Sequence, residues 1–108
     1  MHPMIAERKQ EIARLCDEYG VVRLELFGSA IGSDFDPLES DLDFIVDLGG
    51  YERGVAKRFL RFARALEALL GRAVDLITEE QIRNPYFRQA IEEQRVTVYS
   101  ARDRQAAA

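Results

Sequence analysis

Three aspartates and one glycine-serine pair are the residues of this chain whose types and spacing suggest chemistry. Asp41 and Asp43 flank Leu42 at the mouth of an apolar run, Phe44-Ile45-Val46. In an extended strand side chains alternate, so residues two apart share a face and both carboxylates point the same way. Asp75 lies between Val74 and Leu76 in a second short apolar run, an uncommon place for a poor strand former. Three carboxylates gathered on one sheet repel one another. At ~4 Å and an effective dielectric of about 20, each close pair costs about 4 kcal/mol. A divalent cation removes that cost. Oxygen donors with no nearby His or Cys suit Mg2+ or Mn2+ rather than zinc. Magnesium completes its shell with water and substrate phosphates, which points to a nucleoside triphosphate.

Gly28-Ser29 ends the strand before these aspartates and is followed by a turn of small residues, Ala30-Ile31-Gly32. A residue without a side chain lets backbone N–H groups approach phosphate oxygens, and the serine hydroxyl adds a donor. Taken singly, each feature also suits a plain structural role. Asp41 could cap a turn, Asp43 could face solvent, Asp75 could pair with Arg72 or Arg53, and Gly28-Ser29 could simply end a strand. The combination is what favours a metal and phosphate site.

The elements that must position these residues follow from periodicity. Ile5, Ile12, Leu15, Cys16 and Tyr19 recur at helical spacing, and Gly20 reads as the C-terminal cap of a helix over about Ile5–Tyr19. Val21 to Phe27 alternates, with Val22, Leu24 and Leu26 on one side and Arg23 and Glu25 on the other. A turn-rich loop, Ser33 to Ser40, leads to a second strand over about Leu42–Leu48, ended by Gly49-Gly50. Val55, Phe59, Phe62, Ala63, Leu66, Leu69 and Leu70 mark an amphipathic helix over about Arg53–Leu70, closed by Gly71. Ala73–Ile77 predicts a third strand, Pro85 to about Glu93 a helix, and Val96–Tyr99 a fourth strand. The expected fold is therefore α+β: a small mixed four-stranded sheet with helices packed on it, in the order α-β-β-α-β-α-β. The long helix has the length of a crossover, so the second and third strands are expected to be parallel.

The chain has 108 residues, 47% hydrophobic and 31% charged, a balance that fills one modest core and not a second domain. Residues 1–100 are expected to form that domain and 101–108 a flexible tail. No apolar stretch approaches the ~20 residues needed to span a bilayer, and no signal-peptide pattern opens the chain. Cys16 is the single cysteine, so no internal disulfide can form and a reduced, cytoplasmic setting is expected. The net charge of −4 disfavours nucleic-acid binding through a positive field. Lys57, Arg61 and Arg64, with Arg53, Arg58 and Arg72 nearby, form either a solvated helix face or a docking face, and Arg53 or Lys57 is the expected reach toward a triphosphate. Tyr86 and Phe87 fit core packing first and contact with a partner or a base second.

Phe27-Gly28-Ser29, Ser40-Asp41-Leu42-Asp43-Phe44 and Val74-Asp75-Leu76-Ile77 together resemble the polymerase-β-type nucleotidyltransferase superfamily. More narrowly the chain is similar to the minimal nucleotidyltransferases (MNT) that pair as antitoxins with HEPN toxins. Asp34-Phe35-Asp36-Pro37 and Asn84-Pro85-Tyr86-Phe87 resemble one branch of that group. The resemblance covers about residues 5–100. It implies that Gly28 and Ser29 hold the triphosphate of ATP and that Asp41 and Asp43 bind two Mg2+ ions. Asp75 would complete the metal site and help deprotonate the acceptor. It also implies transfer of AMP to a hydroxyl, by analogy a tyrosine of a HEPN-type toxin, with release of pyrophosphate. Many relatives carry Arg-Gly where this chain has Gly32-Ser33. That departure favours an alternative, a non-catalytic antitoxin that neutralises its partner by masking it. A transferase for a small hydroxylated substrate is a third reading.

Overall fold

The computed structural model describes residues 3–28, 41–50 and 52–101. The elements run α1 (Pro3–Glu7), α2 (Lys9–Tyr19), β1 (Arg23–Phe27), β2 (Leu42–Asp47), α3 (Val55–Leu70), β3 (Val74–Ile77), a 3-10 turn (Glu79–Gln81), α4 (Pro85–Gln94) and β4 (Val96–Ser100). The strands form one sheet in the order β3-β2-β1-β4. β1 is antiparallel to both β2 and β4, and β2 is parallel to β3 across the α3 crossover, as expected.

Two local features depart from the expected elements. The first helix is broken at Arg8, where the amide donates to the Ile5 carbonyl at 3.1 Å and a new helix starts, with Ile12 N donating to Arg8 O at 2.9 Å. The apolar stripe survives the break because Ile5 and Ile12 are both fully buried. The turn at Glu79–Gln81 was not anticipated, although Thr78-Glu79-Glu80-Gln81 carries its signal. Thr78 and Gln81 form a reciprocal capping box, the Thr78 amide donating to Gln81 Oε1 at 2.9 Å.

Alternation sorts the sheet into two faces. Leu24, Leu26, Leu42, Phe44 and Val46 enter the main core with Ile12 and Cys16 of α2 and Phe62 and Leu66 of α3. Cys16 is a buried core residue there, and burial first, then the charge of Asp17, pushes its thiol up to about 12, so it stays protonated and inert. On the other face, Phe27 and Ile45 pack with Ile77, Ile82 and Ile91 into a smaller cluster under the 3-10 turn and α4. A bulge in β4 opposite Leu24 and Glu25 places Val98 and Tyr99 both in the main core, and the Tyr99 hydroxyl donates to Asp17 Oδ1 at 2.8 Å. Ala101 remains tied to this body, its amide donating to Val22 O at 2.9 Å. Residues 102–108 of the expected tail lie outside the described residues.

Arg58 knots three elements at the far end of the sheet. It donates to Tyr19 O and Gly20 O at 3.1 Å, to Leu48 O at 3.2 Å and to Glu52. Lys57, Arg61 and Arg64 stand exposed on the solvent side of α3. Charge-assisted bonds to three carbonyls are worth about 2 kcal/mol in sum once solvent competition is counted. Urea unfolding of Arg58→Ala is therefore expected to show a loss of about 2 kcal/mol, while Arg61→Ala stays within about 0.5 kcal/mol of the parent. Equal losses for the two would refute the structural role of Arg58.

Candidate active site

The face opposite the main core carries the acidic residues. Asp43 is the register partner of Phe27 on β1 and of Asp75 on β3, and Asp41 lies two residues earlier on the same side of the chain. Leu42 N donates to Ala73 O at 3.1 Å, which fixes where the two parallel strands begin and so sets Asp43 beside Asp75. Asp41 and Asp75 are exposed, while Asp43 is half-buried. The Asp43 carboxyl is pushed up to about 6, first by burial, then by the charges of Asp75 and Asp41. The three aspartates thus share one electrostatic neighbourhood.

They do not form a closed cage. Among the described residues, no three His, Cys, Asp or Glu side chains are gathered so as to hold a metal ion as they stand. Strand residues two apart are separated by about 6.6 Å along the chain, and like charges gain nothing by closing that gap. The donor set still fits a hard divalent cation: it is all oxygen and one-sided, leaving coordination positions for water and phosphate.

Gly28 stands directly beside this group. Its φ is +80°, and a Cβ built there would fall 2.5 Å from Asp43 Oδ2. Any side chain would therefore displace the Asp43 carboxylate as well as strain the backbone by about 1–2 kcal/mol. Ser29, the other expected phosphate ligand, lies outside the described residues, as do Gly32-Ser33, the Ser33–Ser40 loop and Asp34-Phe35-Asp36-Pro37.

The expected reach of Arg53 or Lys57 toward the phosphates does not agree with the topology. Both sit where α3 begins, after the chain has left the C-terminal end of β2, whereas Asp41 and Asp43 are at its N-terminal end. α3 carries the chain back, so Arg72, just before β3, is a basic residue at the carboxylate end. A cavity of about 620 Å3 is also at the far end, lined by Val46, Leu48, Val55, Phe59 and Thr78 among others. Among the described residues of the carboxylate end, Asp41 and Asp75 are exposed to solvent.

Glu25 lies on the same face as Phe27, as its alternation with Leu24 and Leu26 predicts. Yet it is only 5% exposed. Arg95 covers it, donating from Nε to Glu25 Oε2 at 3.0 Å and from Nη2 to Oε1 at 2.6 Å. Arg95 also pairs with Glu79 and Glu92. Arg88 donates to Glu79 Oε2 at 3.4 Å and to the Ile82 carbonyl at 2.9 Å. This chain of charges fastens the 3-10 turn and α4 over the face that carries Asp43. The partner residues are seventy positions apart in sequence, so local pattern could not reveal them.

The Asp43 shift has a thermodynamic consequence. Between the unfolded value of ~3.9 and about 6, the folded chain binds more protons than the unfolded one. Stability therefore falls as pH rises through that window and levels off above it. Discounted for solvent on the open side, the loss is on the order of 1 kcal/mol. In the absence of divalent cations, Asp43→Asn should be more stable than the parent by that amount near pH ~8 and equal to it near pH ~4. Urea unfolding at the two pH values decides this; a variant less stable at both would contradict it.

Comparison with known proteins agrees with this geometry. The model of the nucleotidyltransferase domain family matches residues 9–98. A candidate protein adenylyltransferase of Methanocaldococcus jannaschii is 39% identical over 85 residues, covering 78% of this chain and 83% of the relative. Another from the same organism is 35% identical over 79 residues, covering 73% and 78%. Among solved structures, one described as a minimal nucleotidyltransferase matches with a TM-score of 0.63 at 29% identity, covering 89% of this chain and 95% of that one. A chain from the complex of a tri-AMPylated Shewanella oneidensis HEPN toxin with an MNT antitoxin shares the fold, with a TM-score of 0.61 at 16% identity over 95% of this chain and 78% of that one. With its Asp-x-Asp strand and in-register third aspartate, the chain belongs to the nucleotidyltransferase domain family.

Proposed function

We propose that the chain transfers AMP from ATP to a protein hydroxyl, a tyrosine of a HEPN-type toxin, and serves as the antitoxin of that pair. The observation that carries the reading is the Asp43 carboxyl, raised first by burial and then by the charges of Asp75 and Asp41, and lying where a Cβ on Gly28 would collide with it. Relatives named for protein adenylyltransfer and the fold shared with a chain of an MNT–HEPN complex support it. No helix among the described residues is long and apolar enough to cross a membrane. The cytoplasmic setting expected from the lone Cys16 belongs to the same proposal.

Asp41, Asp43 and Asp75 would hold Mg2+, with Gly28 and Ser29 next to the triphosphate. The metal, when bound, supplies positive charge for the oxygens of the α-phosphate and of the leaving pyrophosphate. Gly28 keeps the approach to Asp43 clear, so backbone rather than side chain faces the phosphates. The acceptor oxygen forms a bond to the α-phosphorus while the bond from that phosphorus to the bridging oxygen breaks. The electron pair leaves with pyrophosphate. Asp75, exposed beside Asp43, receives the acceptor proton and returns it to solvent.

The test is incubation of the chain with Mg2+, ATP labelled at the α-phosphate, and a candidate HEPN-type partner, the product of the adjacent gene being the first to try. Label is expected on a tyrosine of the partner, falling at least about 100-fold in Asp43→Ala, since lost charge stabilisation of several kcal/mol corresponds to that factor. Tight binding of the partner with no label would instead establish masking, the alternative that Gly32-Ser33 favours.

A further inference from the structure

The large apolar side chains left in solvent among the described residues are Val22, Leu60, Tyr86 and Phe87. Val22 lies beside Gly49 and Leu60 lines the far cavity, both at the end of the sheet away from the aspartates. Tyr86 and Phe87 are on the other side. The Phe87 ring meets the Phe27 ring edge-on at 6.4 Å, and Phe27 is the register partner of Asp43. Tyr86 is 82% exposed and Phe87 46%, so core packing, the first expectation for this pair, fails for Tyr86. The first turn of α4 that carries them is fixed: Asn84 Oδ1 accepts from Tyr86 N at 2.9 Å and from Phe87 N at 3.2 Å. Beneath it, Arg88 and Arg95 bind the helix to the sheet through Glu79 and Glu25.

A rigid exposed aromatic pair adjoining a phosphate site is the arrangement that stacks a nucleobase, because a base offers flat apolar faces that gain by leaving water. Among the described residues, the other apolar side chains of this face are Phe27 and Ile45, which are buried, and Ile77, which is partly buried against them. We infer that Tyr86, backed by Phe87, is the platform for the adenine ring of ATP and so a nucleotide-binding residue beyond the glycine-serine and aspartate set. The inference rests on the nucleotide site proposed above. Stacking uses the ring face, so it tolerates loss of the hydroxyl and not loss of the ring.

Calorimetric titration of the full chain with Mg2+ and either a non-hydrolysable ATP analogue or inorganic tripolyphosphate tests it. Tyr86→Ala is expected to weaken the analogue about tenfold, leave tripolyphosphate unchanged, and be matched to the parent by Tyr86→Phe. The exposure of Tyr86 makes misfolding of either variant a poor explanation of a change. Unchanged analogue affinity in Tyr86→Ala overturns the inference; if labelling of the protein acceptor falls at the same time, the ring is a protein-docking contact. A parent chain that binds neither ligand overturns the nucleotide site itself, and this inference with it.

Discussion

Asp43 and Asp75 are held in register across a parallel strand pair, with Asp41 two residues upstream, and neither strand can relieve the resulting repulsion by itself. The Asp43 carboxyl is pushed up to about 6, first by burial and then by the charges of Asp75 and Asp41, so the repulsion adds to the cost of burial. The rest of the fold is organised around keeping that unfavourable arrangement in place. A buried core on the opposite face, built from Leu24, Leu26, Phe44, Val46, Phe62 and Leu66, supplies the stability that the acidic face withdraws. The acidic residues stay on an open side, where the charge is partly solvated until a ligand arrives.

The crossover topology explains why the three aspartates are at one end of the sheet and the cavity beside Val55 and Phe59 at the other. α3 leaves the C-terminal end of β2 and returns the chain so that β3 starts level with Leu42. Its two ends therefore face different surroundings. Early in α3, Arg58 ties loops together, whereas Arg72 comes just before β3, at the carboxylate end. The second clamp, Glu25–Arg95–Glu79–Arg88, acts on the other side of the sheet. A buried ion pair of this kind contributes little net stability compared with an apolar replacement, but breaking it leaves a charge uncompensated and costs about 3–5 kcal/mol. It fixes α4, and with α4 the aromatic pair beside the carboxylates.

Most of the fold was legible because its signals are local and periodic. The alternation of β1, the apolar stripe of α3, and the glycine caps at Gly20 and Gly71 each predict the element that is found. The parallel pairing of β2 with β3 followed from crossover length alone. The Asp41, Asp43 and Asp75 grouping was legible because strand period fixes the face and topology fixes the register. What periodicity could not show was anything that depends on depth or on distant partners. Alternation gives the side on which Glu25 lies but not its burial, where Arg95 pairs with it from the end of α4. Tyr86 reads as core and is exposed, because the short second cluster closes with Ile82 and Ile91 and leaves the start of α4 projecting. The break at Arg8 replaces a helical bond with a tighter one without disturbing the apolar stripe, so hydrophobic pattern is blind to it.

The central claim is that mutual repulsion of these carboxylates is relieved by a divalent cation bearing a nucleotide. Titrating the Asp43 carboxyl by carboxyl-carbon NMR tests it most directly. Without metal its midpoint should be about 6; with Mg2+ and a non-hydrolysable ATP analogue it should drop below the ordinary aspartate value. A midpoint that is unmoved by the cation and the analogue would contradict the account.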